Sequence, residues 1–347
     1  MRTLAALALV AALCATSVRA DEPPLRVVVT LDYLADVVRK IGGPLVAVEV
    51  LARPGEDPHA IDPTPAHLLA LRQADLLVEN GVQLELWTPR AREGSGNARV
   101  QPGQPGHLFA TDGIEPRELP TAEELAGGGH VHASGNPHVW LDPTNLKVVA
   151  SNVERALARL RPGAAAALEQ RRRAFEARLD DACFGPELVK VLGAGQLTRL
   201  HRAGRLRAFL ADRKYRDRPL TDLAGGWLKA ALELGDLPLL TYHRTWTYLE
   251  LPFGLRVVGT VEEKPGIPPS PAHLDRLQAL AAREGVKVVV CAPYEPASRA
   301  QGVAERIGGV AVVLPTQPAE VGPEADVFGL FDAIFRALAD ARRRAGS

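Results

Sequence analysis

The stretch Arg26-Val-Val-Val-Thr-Leu-Asp-Tyr-Leu-Ala-Asp-Val-Val-Arg-Lys-Ile-Gly-Gly-Pro-Leu-Val-Ala-Val-Glu-Val-Leu51 decides the fold class. Its first five residues are a short β-branched run that reads as a buried strand. Asp32 is a candidate cap for a helix through about Ile41, stopped by Gly42-Gly43-Pro44. Val46 to Leu51 is then a second strand. Outward from here the pattern repeats: Pro65 to Ala74 reads as a helix with proline at its tolerated first position, and Asp75 to Glu79 as a strand. In the second half, Leu239 to Tyr242, Arg256 to Thr260, Lys287 to Cys291 and Val310 to Leu314 have the same short apolar look. Pro271 to Arg283, Ala297 to Ile307 and Asp326 to Arg344 read as helices. Strands alternating with helices imply parallel sheets covered on both faces.

The middle breaks the alternation. Thr144 to Leu160 and Pro162 to about Ala182 read as two helices with no strand between them, which suits a stiff connector between two α/β halves. The division is a leader over residues 1–20, an N-terminal lobe over 21–143, a helical connector over 144–182 and a C-terminal lobe over 183–347. Residues 94–136, rich in Gly, Pro and small polar residues, read as a long irregular loop. Gly193 to Gly226, basic and turn-rich, reads as a solvated excursion.

The chain has 347 residues, 46% hydrophobic and 24% charged, with 41 basic and 41 acidic side chains. Such a balance excludes a disordered chain and argues against a nucleic-acid binder. Three cysteines are too few for a disulfide scaffold. Met1-Arg2, the apolar run Leu4 to Leu13 and Val18-Arg19-Ala20 have the layout of a secretory signal, with cleavage expected after Ala20. Lipidation at Cys14 is disfavoured by Leu13 before it. Cys183 and Cys291 then remain, and whether they pair is left open.

The chemistry-bearing residues lie in three histidine segments, Asp57-Pro-His59 to Pro65, Asn136-Pro-His138-Val-Trp-Leu-Asp-Pro143 and Thr241-Tyr-His243-Arg-Thr-Trp246. His59 and His243 follow strand ends, where ligands collect in open parallel sheets. Prolines beside His59 and His138 stiffen the backbone, so an imidazole can be held near a metal at about 2.0–2.1 Å with little ordering. A single histidine at a strand end is more often structural. Three in separate loops, far apart in sequence, suit a site that only tertiary folding assembles.

With Asn80-Gly-Val-Gln-Leu-Glu85 and Lys264-Pro-Gly-Ile-Pro-Pro-Ser-Pro-Ala-His273, these blocks resemble, in order, the zinc/manganese solute-binding proteins of bacterial ABC importers, the TroA/ZnuA-type receptors. The resemblance implies two α/β lobes joined by a long helix, with His59, His138 and His243 as metal ligands in the cleft. It implies a monomeric, periplasmic or otherwise extracytoplasmic receptor, not an enzyme, that takes up Zn²⁺, with Mn²⁺ as the other candidate. The partner would be a membrane ABC permease with its cytoplasmic ATPase. The family's carboxylate after the last strand has no Asp counterpart in Val312-Val-Leu-Pro-Thr-Gln-Pro-Ala-Glu-Val321, Glu320 being several residues off, and Cys291-Ala-Pro-Tyr294 lacks another acidic residue. The fourth position is therefore left open among water, Glu263, Glu56 and His132. His130 and His132 are also weighed as a weaker secondary site, against plain loop residues. Asp142 is read as a partner near His138 or as a helix cap, and Trp140, Trp246 and Tyr248 as cleft walls or core.

Three imidazoles suit Zn²⁺ better than Mn²⁺. The rival from another class is a secreted three-histidine zinc hydrolase, with activated water as the fourth ligand. The chain contains no H-E-x-x-H, G-x-S-x-G, Walker A or G-x-G-x-x-G pattern to support such chemistry.

Overall fold

A computed structural model of the protein describes residues 22–53, 55–126, 132–264, 266–319 and 321–346. The expected signal and its cleavage point, His130 and Glu320 lie outside the described residues. In the first half the chain runs β1 (Leu25–Val29), α1 (Asp32–Gly42), β2 (Val46–Val50), α2 (Pro65–Gln73), β3 (Leu76–Glu79), α3 (Thr88–Ser95), β4 (His107–Phe109) and α4 (Ala122–Ala126). The strands pair in the order β2-β1-β3-β4, all parallel. Val27, Val28 and Val29 are buried as a central strand requires. Asp32 is the first helical residue of α1; the cap position belongs to Leu31, which makes no side-chain capping bond. Helix α2 does start at Pro65, behind a Thr64 cap whose box is closed by the His67 side chain.

Two helices follow without an intervening strand, α5 (Leu146–Leu160) and α6 (Ala165–Phe184), each entered through a single 3₁₀ turn started by a proline. The chain continues through α7 (Pro186–Leu192), α8 (Ala194–Arg202), α9 (Leu206–Ala211), the small antiparallel pair β5 (Lys214–Tyr215) and β6 (Arg218–Pro219), and α10 (Gly226–Leu234). It ends with β7 (Pro238–Thr241), α11 (Thr247–Phe253), β8 (Arg256–Thr260), α12 (Pro271–Glu284), β9 (Val288–Cys291), α13 (Ala297–Arg306), β10 (Val310–Val313) and α14 (Val327–Ala345). The second parallel sheet has the order β10-β9-β7-β8. Helix α6 packs on α1 of the first half and on α10 of the second, so one continuous helix touches both lobes.

Two expectations are corrected here. The presumed loop over 94–136 contains β4, which adds the edge strand to the first sheet. The basic segment after Gly193 is a solvated excursion only over residues 211–218, which are exposed. It is mostly helical, and Leu197, His201, Leu206, Leu210, Leu220 and Leu223 are buried. Two of its arginines reach carbonyl groups of neighbouring elements, Arg202 to Thr144 at 2.6 Å and Arg207 to Gly254 at 2.8 Å. Cys183 and Cys291 are both buried and both free thiols.

The lobes are linked by directed bonds as well as by α6. Asp36 on α1 accepts from the Val327 N–H at the start of α14, and Lys40 pairs with Asp326, the residue that caps α14. Among the described residues no helix is long and apolar enough to cross a membrane.

Candidate metal centre

The loop 51–64 leaves the carboxyl end of β2 and carries His59. It is fixed by the Trp87 indole N–H, which donates to the Pro58 carbonyl at 3.0 Å. His138 ends the segment running into the 3₁₀ turn Val139–Leu141, and His243 follows β7 by two residues. The fold brings these three distant histidines together. The ring centres of His59 and His138 are 5.3 Å apart, and those of His138 and His243 are 6.1 Å apart. His132 joins them, its ring centre 5.2 Å from that of His59.

An imidazole bound through one nitrogen at about 2.0–2.1 Å has its ring centre roughly 3 Å from the ion, so tetrahedral neighbours sit about 5 Å apart. The His59–His138 and His59–His132 spacings match that figure, while His243 stands about 0.8 Å further from His138. Among the described residues no three His, Cys, Asp or Glu side chains form a closed ligand set. The imidazoles lie as neighbours around one region and have not contracted onto a point.

Each of the three predicted histidines is oriented through Nδ1. His59 Nδ1 meets Asp57 Oδ1 at 2.8 Å, and His243 Nδ1 meets Glu262 Oε2 at 2.9 Å. An ionised carboxylate only accepts, so both rings carry their proton on Nδ1. His138 Nδ1 meets Asn136 Oδ1 at 2.9 Å. The amide orientation follows from its other end: Asn136 Nδ2 donates to Glu118 Oε2 and to the Arg244 carbonyl, both acceptors. Asn136 thus presents oxygen to the ring, and His138 too is protonated on Nδ1. In the neutral ring Nε2 then carries the lone pair, the arrangement that suits a histidine ligand. The Nε2 of His138 is buried with no hydrogen-bond partner. Burial, then the neighbouring His59, His243 and His132, holds the His138 imidazole well below its ordinary pKa, so it is neutral and able to donate that lone pair.

Of the two readings of Asp142, partner near His138 or helix cap, the structure takes the second. Asp142 Oδ1 accepts from Thr144 N–H and Oγ1 and pairs with the buried His201 at 3.3 Å, so it is a cap. The partner of His243 is Glu262, not its neighbour Glu263. Glu263 bonds Arg276 at 2.6 Å and Ser270 at 3.2 Å on the outer surface. Glu56 turns back to the Arg53 N–H. In the loop after β10, Gln317 accepts from the Tyr33 N–H at 3.0 Å. Trp140, Trp246 and Tyr248 are all buried. Trp140 stacks on Tyr33 at 5.1 Å, lies 5.5 Å from the His138 ring, and donates to the Thr316 carbonyl of the other lobe at 2.7 Å.

Glu295, directly after Cys291-Ala-Pro-Tyr294, is an acidic group the sequence analysis did not single out. It accepts from Ala292 N–H at 2.7 Å and Thr245 Oγ1 at 3.3 Å, and burial raises its pKa to about 7 against the pull of His243. A cleft opens beside these loops, with Arg53 and Pro58 on one side and Tyr294, Thr316 and Gln317 on the other.

The Asn80 to Glu85 block has a structural explanation. Val82 and Gln83 take positive φ, a turn that brings the Glu85 carboxylate onto the N–H groups of Asn80 and Gly81 and the Thr30 hydroxyl. Asn80 in turn accepts from the Tyr33 hydroxyl and donates to the Pro137 carbonyl, which steadies the backbone just before His138.

Comparison with known proteins agrees with this layout. Residues 27–182 and 220–341 match the family described as ZnuA, zinc-uptake complex component A, periplasmic. The high-affinity zinc uptake system protein ZnuA of Bacillus subtilis strain 168 is 26% identical over 84% of this chain and 78% of its own length. The iron-binding protein YfeA of Yersinia pestis is 29% identical over 44% of this chain. The matched segment spans about 45% of YfeA, so this chain covers under half of that relative. The manganese ABC transporter substrate-binding lipoprotein PsaA of Streptococcus pneumoniae is 28% identical over 41% of this chain and 44% of its own length. A crystal structure of ZnuA superposes with a TM-score of 0.66 at 21% identity, covering 92% of this chain and 99% of that one, which shows the fold. The chain belongs to the ZnuA family of metal-binding, ABC-transporter substrate-binding proteins.

Proposed function

We propose that the protein captures Zn²⁺ in preference to Mn²⁺ outside the cytoplasm, through His59, His138 and His243, and delivers it to an ABC-type membrane permease driven by a cytoplasmic ATPase. The observation that carries the reading is the set of three Nδ1-anchored imidazoles, contributed by loops of both lobes and spaced at 5.3 and 6.1 Å. Neutral imidazoles favour Zn²⁺ over Mn²⁺, which takes more oxygen. The relatives' names include zinc, manganese and iron, so the preference rests on the donor set and not on kinship. In this reading residues 21–143 and 183–347 are the two jaws, and residues 144–182 are the connector. The signal over residues 1–20, cleaved after Ala20, would supply export.

The reading assigns no catalytic step. The carboxylates at the imidazoles, Asp57 and Glu262, are held as Nδ1 acceptors, which suits binding better than proton transfer. Isothermal titration of residues 21–347 with Zn²⁺ and Mn²⁺ tests it. One tight zinc per chain, with weaker manganese, is expected, and wild-type zinc affinity in His138→Ala would refute the site. Chelator-sensitive ester or amide hydrolysis by the zinc-loaded protein would favour the hydrolase instead.

A further inference from the structure

The fourth position around the three histidines can be narrowed by following each oxygen candidate to its partner. Glu263 is turned outward to Arg276 and Ser270, and Glu56 closes its own turn on Arg53. Gln317 stands in the loop after β10 where a carboxylate would be sought, and its oxygen is bound by Tyr33, while Glu295 near His243 accepts from the Ala292 N–H at 2.7 Å and the Thr245 hydroxyl at 3.3 Å. Asp57 and Glu262 hold the far sides of two imidazoles. His132, by contrast, lies inside the cluster. Its ring is 5.2 Å from that of His59 at an interplanar angle of 32°, and its Nε2 is buried.

The chain places it there through a tight turn. The Gly135 N–H donates to the His132 carbonyl at 3.0 Å, and Gly135 has φ +92°, where a Cβ would come within 2.7 Å of the Arg117 carbonyl. A glycine is required there. The Ser134 N–H donates to the Gln83 side chain, and Asn136 follows immediately with its bonds to His138 and to Arg244 of the other lobe. One short anchored loop therefore carries both His132 and His138.

We propose that His132 is the fourth ligand, completing an all-imidazole shell with His59, His138 and His243 that selects Zn²⁺ against Mn²⁺. The inference rests on the metal-receptor reading and goes beyond it by naming the group that sets metal choice. Zinc is commonly four-coordinate with nitrogen donors, whereas an oxygen-poor shell fits Mn²⁺ badly. Four neutral imidazoles leave the ion's two charges uncompensated at first contact. The Asp57 and Glu262 carboxylates behind two of the rings supply two negative charges and raise the basicity of those rings.

The test uses residues 21–347 as wild type, His132→Ala and His132→Asp, with His138→Ala as reference. Zn²⁺ and Mn²⁺ affinities come from titration calorimetry, and the visible absorption of the Co²⁺-loaded proteins reports the ligand set. For His132→Ala the zinc affinity should fall at least about ten-fold, the scale on which lesser perturbations of metal sites already act. Manganese affinity should hold, and the cobalt spectrum should change. His132→Asp should narrow the zinc-to-manganese ratio by trading nitrogen for oxygen. Unchanged zinc affinity and cobalt spectrum in both variants would overturn the inference alone, provided His138→Ala still loses zinc. A wild-type chain that binds no zinc would overturn the receptor reading along with it.

Discussion

The N-terminal side of the cleft supplies His59, His132 and His138 at ring spacings of 5.2 and 5.3 Å, from loops fixed by Trp87, Gly135 and Asn136. The C-terminal side supplies His243, 6.1 Å from His138, held by a Glu262 that also gathers the Gly266 N–H. One face is a three-histidine platform centred on His138, which is only 1% exposed, with His59 and His132 half-buried around it; the other is a single, equally half-buried arm. On the proposed reading the asymmetry implies an order of events: a cation would meet the platform first, and the lobe carrying His243 would close the remaining fraction of an ångström.

The largest effect should come from dismantling the platform. His138→Ala and His59→Ala should each weaken zinc binding by about 1000-fold, about 4 kcal/mol. His243→Ala should cost roughly ten-fold less, because the platform still holds the ion. Calorimetry on the three variants checks the ordering, and a His243 loss equal to the others would mean that the two faces act as one unit.

A second way to probe the platform is through the carboxylate beneath it. Burial, with Glu79 nearby, raises the Glu85 pKa from 4.5 to about 7. Between those values the unfolded chain releases the proton and the folded chain keeps it, so Glu85's stabilisation is full below pH 4.5 and is lost as pH rises through about 7. The total is about 3 kcal/mol at 1.36 kcal/mol per unit. Urea unfolding of the metal-free protein at pH 5, 6, 7 and 8 should show the wild type losing stability relative to Glu85→Gln across that range. Parallel curves would remove Glu85 from the account.

Smaller again is the contribution of the Nδ1 partners. Asp57→Asn and Glu262→Gln keep shape and remove charge, and each should lower zinc affinity about 10-fold, the low end for groups that orient a ligand. If the arm is the looser part, Glu262→Gln should also slow zinc capture more than Asp57→Asn does. Stopped-flow rates would decide this, equal rates counting against the proposed order of events.

Much of this was legible in the sequence, and the limits are physical. The strands at Arg26, Val46, Arg256 and Val288 are β-branched runs bounded by turn residues, a local signal. Strand β4 is only His107–Phe109, too short for any periodicity, and exists because β3 pairs with it. The segment after Gly193 looked solvated because of its arginines, yet its leucines are buried. The three candidate histidines stand out because proline and aromatic residues frame them. Their partners do not, since a hydrogen bond between Asn136 and Arg244, or His243 and Glu262, is a tertiary event. Glu262 and Glu263 are adjacent in the bend that follows β8. One faces the site and the other faces Arg276, a distinction that composition cannot make.

The smallest predicted effect concerns the link between the two faces. Trp140 follows His138 by two residues, stacks on Tyr33, and donates its indole N–H to the Thr316 carbonyl across the cleft. Trp140→Phe keeps an aromatic ring for the stack and deletes that one bond, leaving a buried carbonyl without its indole donor, at a cost of about 1 kcal/mol. Because the bond joins the platform to the closing lobe, its loss should appear as a zinc affinity lower by about five-fold and as a larger radius of gyration for the metal-free chain. The platform's histidines are untouched, so the cobalt spectrum should be unchanged. A drop as large as that of His243→Ala would show that this indole, and not the imidazole arm, governs closure. No drop at all would show that α6 and the Asp36–Val327 contact hold the lobes in register without it.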